Sequence, residues 1–117
     1  MLAYKRLSIL VVVALAGACA SHNGPPAASA DAKAAISAAE AVGAQNEPQA
    51  ALHLKLARDQ TQKADALARD GKEEEAKALI ERAKVDAELA LVLTRDASVR
   101  AEANDQAQRL RELEQNN

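Results

Sequence analysis

The chain has 117 residues, with 15 Lys+Arg against 17 Asp+Glu, and its one aromatic residue is Tyr4. That length holds one small domain at most, and an acidic balance without aromatic stacking platforms argues against nucleic acid as a partner. With no Trp or Phe, a core must come from Leu, Ile, Val and close alanine contacts, so thin helical packing is expected.

Residues 1–18 read as a secretory signal peptide. Lys5 and Arg6 form a short basic region, and the apolar run from Leu7 to Ala18 ends in small residues. It is too short and wrongly flanked to span a membrane. Removing it takes away two basic residues and leaves a mature chain of formal charge −4.

Cys19 is the only cysteine, so no intrachain disulfide can form. Leu15-Ala16-Gly17-Ala18-Cys19 resembles the lipobox of bacterial lipoproteins, whose cysteine is diacylated through its sulfur. That pattern prefers a branched aliphatic residue three places before the cysteine, where this chain has Ala16 and carries Leu15 one place further back. Ala16-Gly17-Ala18 also fits ordinary signal cleavage, which would release a soluble periplasmic binding or chaperone-like module. Lipidation of Cys19 is the preferred expectation, because a lone cysteine directly after a signal seldom has another use. Ala20 and Ser21 follow it, and by resemblance to lipoprotein sorting the lack of Asp there implies an outer-membrane anchor facing the periplasm.

After Cys19, residues 20–30 (ASHNGPPAASA) are small, polar and proline-containing, the composition of a flexible tether. His22 lies in it and His53 in a later helix, and neither has metal-ligand spacing around it, so both read as solvated surface residues. A first helix is expected over about 31–42, with Asp31 or Ser29 as its N-cap. Its apolar stripe is Ala32, Ala35, Ile36, Ala39 and Val42. Gly43 and Asn46-Glu47-Pro48 then supply a stop and a new start, and a reversal of direction is preferred over a kink.

The second helix is expected over about 48–69. Ala50, Leu54, Ala57, Thr61, Ala64 and Ala68 recur at alternating spacings of four and three, a seam for one neighbouring helix. Leu52, Leu56 and Leu67 widen this apolar face, and Asp59–Lys63 and Asp65–Arg69 have the acid-before-base spacing of i,i+4 pairs.

Gly71 is the expected hairpin turn. Three acids, Glu73 to Glu75, open the third helix beside the positive end of its dipole rather than forming a metal site, since consecutive helical residues cannot converge on one ion. No Gly or Pro interrupts residues 72–115. One stripe there, Ala76, Ile80, Ala83, Ala87, Ala90 and Thr94, pairs layer by layer with the second-helix seam in a single register about Gly71. Small residues on both sides should bring the two axes to about 8 Å.

A second stripe on the same helix runs through Val85, Leu89, Val92, Asp96, Val99, Ala103, Gln106, Leu110 and Leu113, a coiled-coil spacing with two polar interruptions. Its first half is expected to be covered by the first helix. The second half has no partner in the chain, so Val99, Ala103, Leu110 and Leu113 are the candidate surface for an envelope protein or for self-association. The competing reading is a solvated tail held helical by Asp96–Arg100 and Asp105–Arg109 pairs. The fold class is therefore all-α, an antiparallel hairpin with a short first helix and a long protruding third.

Pro48, the Leu54/Ala57 and Ala64/Leu67 spacing, Gly71, Ala76 and Asp86-Ala87-Glu88-Leu89-Ala90 carry a resemblance over residues 31–103. They are similar to a family of bacterial envelope proteins, the domain of unknown function 4398 family. The resemblance implies a short helical lipoprotein, and some members continue into an OmpA-like peptidoglycan-binding domain. This sequence ends at Asn117, so peptidoglycan contact is expected only through the helices or a partner. Gly71, Ala76 and Ala83 also share the spacing of a tetratricopeptide turn, but no second 34-residue copy follows. The ending Gln115-Asn116-Asn117 lacks the lysine by which the major outer-membrane lipoprotein joins the wall. No phosphate loop, metal signature or nucleophile elbow is present, so neither an enzyme nor a cofactor is expected.

Overall fold

The computed structural model describes residues 27–116. The expected signal peptide, Cys19 and the expected tether as far as residue 26 lie outside the described residues. Among those described, the secondary structure is helical: α1 (Ala27–Ala41), a short 3-10 turn (Ala44–Asn46), α2 (Pro48–Arg69) and α3 (Glu73–Gln115).

The α2–α3 turn follows from the conformational freedom of one glycine. Gly71 has φ +75°, a left-handed conformation that side chains with a Cβ adopt at a cost. Its N–H donates to the Ala68 carbonyl at 3.1 Å, and the Lys72 N–H donates to Leu67 at 2.9 Å. These two bonds form a Schellman motif, which satisfies the carbonyls orphaned at the end of α2. Glu73, Glu74 and Glu75 occupy the first turn of α3, where they complement its dipole.

The chain folded about that glycine buries both anticipated seams. Ala50, Leu54, Ala57, Thr61 and Ala64 are buried on α2, against Ala76, Ile80, Ala83, Ala87 and Ala90 on α3. The outer members, Ala68 and Thr94, are half-buried. Thr61 enters this alanine seam at little cost because its hydroxyl donates to the Ala57 carbonyl at 2.8 Å, and Thr94 does the same to Ala90.

At the other end, Gly43 has φ +86° and Glu47 caps α2, its side chain accepting from the Ala50 N–H ahead of Pro48 in the first turn. The chain reverses here. Arg58 of α2 donates to Glu40, and Lys33 lies 3.6 Å from Asp65, so α1 runs antiparallel to α2. It packs in the groove between the other two helices. Ala32 joins Ala64, Ile80 and Ala83 in one buried cluster, while Ala39 and Ala44 join Leu54 and Ala90 in another.

Four expectations need correction. First, α1 already includes residues 27–30, part of the expected tether, so neither Ser29 nor Asp31 is an N-cap. Three of those four residues are alanine, the strongest helix former, and the helix runs through them. Val42 falls just beyond α1 and is 40% exposed, and Ala44 takes its place in the core.

Second, Leu67 packs against the first cluster, but Leu52 and Leu56 point outward and are exposed. Third, Asp59 pairs with Lys55 rather than Lys63, and Asp65 pairs across to Lys33 rather than along its helix to Arg69. The Asp96–Arg100 and Asp105–Arg109 pairs do form.

Fourth, α1 does not cover the first half of the second α3 stripe. Val85 and Val92 are 64% and 58% exposed. They sit about half a turn around the helix from Ala83 and Ala90. The few residues between Ala41 and Pro48 hold α1 beside the buried face and cannot carry it to the opposite one.

Candidate interaction surface

The buried and outward stripes of α3 have separate physical causes. The inner one is mainly alanine because two helices must approach it closely. The outer one carries larger aliphatic groups at coiled-coil spacing and stays largely exposed. Val99, Leu110 and Leu113 are each 62% exposed and continue the line begun by Val85 and Val92. Ala103 lies between them and is exposed too. Thus the four residues proposed as a partner surface share one face of one continuous helix.

Beyond Thr94, the residue that pairs with the start of α2, α3 continues for another 21 residues to Gln115, about 30 Å at the α-helical rise. Only Ala97 and Ala107 are half-shielded along that stretch. Asp96–Arg100 at 2.8 Å and Asp105–Arg109 at 2.7 Å brace it locally, each such pair adding a few tenths of a kcal/mol (~0.3–0.5).

Sequence reasoning missed a polar clamp between α2 and α3. His53 lies with Nδ1 2.8 Å from one oxygen of Asp86, and Gln60 Nε2 donates to the other at 2.7 Å. His53 is therefore a half-buried interhelical contact rather than a solvated surface residue. Spacing gives no such signal, since Asp86 and Glu88 both flank the buried Ala87 and Glu88 is exposed.

At the Gly71 end, a groove of about 220 Å³ is lined by Ala28, Ser29, Ala64, Ala68, Ala76 and Ile80. Ser29 Oγ is buried there without a hydrogen-bond partner. The acids Glu73 and Glu74 at its rim are exposed, and Asp65 faces Lys33. Among the described residues no group of three His, Cys, Asp or Glu side chains is placed to hold a metal ion. No helix there is long and apolar enough to cross a membrane.

Comparison with known proteins finds one family model, described as "Domain of unknown function (DUF4398)", matching residues 27–114. The chain belongs to this family. No curated protein and no solved structure matches it. The DUF4398 match begins where α1 does and ends one residue short of the end of α3. The projecting half of α3, with its exposed stripe, is thus part of the DUF4398 domain itself rather than an appendage to it.

Proposed function

We propose that this DUF4398 protein is an outer-membrane-anchored periplasmic lipoprotein that acts as a non-catalytic helical scaffold or adaptor. Cys19 carries the lipid, and the outer face of α3 makes the protein contacts, in the service of cell-envelope organisation. One observation carries the reading: a row of exposed Val and Leu side chains runs along one continuous helix on the side facing away from the bundle. A row of exposed aliphatic side chains at coiled-coil spacing, broken only by Asp96 and Gln106, has the form of a helix-docking face. The anchor follows from the placement of the lone cysteine directly after an apolar leader. Two or three acyl chains, at about 0.8 kcal/mol per buried methylene, hold a domain on a bilayer far more firmly than one.

Both halves can be tested in cells. Intact mass of the mature protein should show an acylated N-terminal Cys19, and Cys19→Ser should move the protein from the membrane to the soluble fraction. An unmodified N-terminus would replace the anchor with a soluble periplasmic module. A photo-crosslinking residue placed at Val99 or Leu110 should give a discrete adduct, whereas one at Glu75 in the first turn of α3 should not. No adduct at either stripe position would remove the scaffold reading.

A further inference from the structure

The outer stripe of α3 is flanked on one side by charges at every seventh position: Glu88, Arg95, Glu102 and Arg109. All four are exposed. Glu88, Arg95 and Glu102 make no ion pair among the described residues, while Arg109 is shared with Asp105 on its own helix. The signs alternate along the row. A row of alternating sign is complementary to itself when reversed.

We propose that the occupant of this face is a second copy of the same chain, packed antiparallel along α3. The inference rests on the reading of that face as the contact surface and names what covers it. In one antiparallel register Val85 lies level with Leu110 of the second copy, and Val92 with its Ala103. The two polar interruptions then meet apolar residues, Gln106 against Leu89 and Asp96 against Val99, so no carboxylate faces a carboxylate. In that same register Glu88 faces Arg109 and Arg95 faces Glu102, each twice by symmetry, with no like-charge pair along that flank.

The other orientation fails on the same residues. A parallel pair in register would set Asp96 against Asp96 in the seam and Arg95 against Arg100 on the flank, both repulsive. The bundle also permits the antiparallel arrangement, because α1 and α2 occupy the opposite side of α3. Each projecting half would cover the exposed Val85–Val92 stretch that α1 leaves open in the other copy.

Sedimentation of the full mature chain carrying Cys19→Ser, at low salt, tests this. The wild-type surface should show a concentration-dependent monomer–dimer equilibrium. Glu102→Arg should weaken it about tenfold, since two attractive contacts become repulsive. Arg95→Glu should weaken it similarly, and the double charge swap should restore it to within about threefold. Circular dichroism should find helicity unchanged in all three.

A parallel dimer gives the opposite sign, because Arg95→Glu would then face Arg100 and tighten association; that result would overturn the proposal. So would a monomer at every concentration. If the chain is monomeric while Val99 crosslinks in cells to a protein of another mass, the scaffold reading stands and only self-pairing is lost. If Val99 and Leu110 give no adduct and the chain is monomeric, both fail.

Discussion

At the residue scale, two glycines and a set of alanines determine the path of the chain. Gly71 and Gly43 both have positive φ, but their surroundings differ. A Cβ built on Gly71 meets nothing within 4 Å, whereas one on Gly43 comes 3.2 Å from Asn46 Nδ2. Gly71→Ala therefore bears backbone strain alone, about 1–2 kcal/mol, and the fold survives it. Gly43→Ala adds a crowded contact and should lose more. Thermal melts of the two variants check the order, with Gly43→Ala melting lower. The buried alanines cannot be enlarged so cheaply, because extra methylenes in a close-packed seam cost about 1–3 kcal/mol each.

At the element scale, α3 is one helix with two environments. Its first half packs an alanine stripe against α1 and α2, and its second half is exposed along most of its length. Local stability should follow that division. Native-state hydrogen exchange in dilute solution should show residues 76–90 protected by tertiary packing and residues 97–115 exchanging much faster. Uniform protection along α3 in the monomer would contradict this division.

The same element shows how much the sequence disclosed. The inner stripe and its register with α2 were legible because a seam of Ala, Leu, Ile and Thr at four–three spacing admits one pairing about Gly71. The outer stripe was legible as a pattern, but its relation to α1 was not. Periodicity along α3 says that two stripes exist, while the side on which α1 lies is decided by the short Gly43–Glu47 connection. The outward partner surface was legible because a reversal of the first two helices leaves both short of α3 beyond about Thr94. By contrast, the His53–Asp86–Gln60 clamp was missed, since it depends on the rotation of α2 relative to α3 and not on spacing within either.

At the scale of the whole molecule, the core is thin. Among the described residues Leu54 and Ile80 are the large buried apolar side chains, and the other buried apolar residues are alanine. Each alanine contributes little buried area, so stability comes from many close helix–helix approaches, with the half-buried His53–Asp86 contact beside them. Such a bundle has little stability to spare. Covering the outer stripe with protein would both stabilise it and remove the exposed surface.

The inner face of α3 holds the fold, and the outer face is the one we propose meets a partner. A reciprocal pair of substitutions tests this, with melting temperature and association read on each variant. Ala87→Asp places a charge in the sealed seam and should collapse the thermal transition. Val92→Asp, only five residues on, should leave the monomer's transition within a few degrees of wild type while abolishing association. An unchanged melt for Ala87→Asp, or full association by Val92→Asp, would contradict the account.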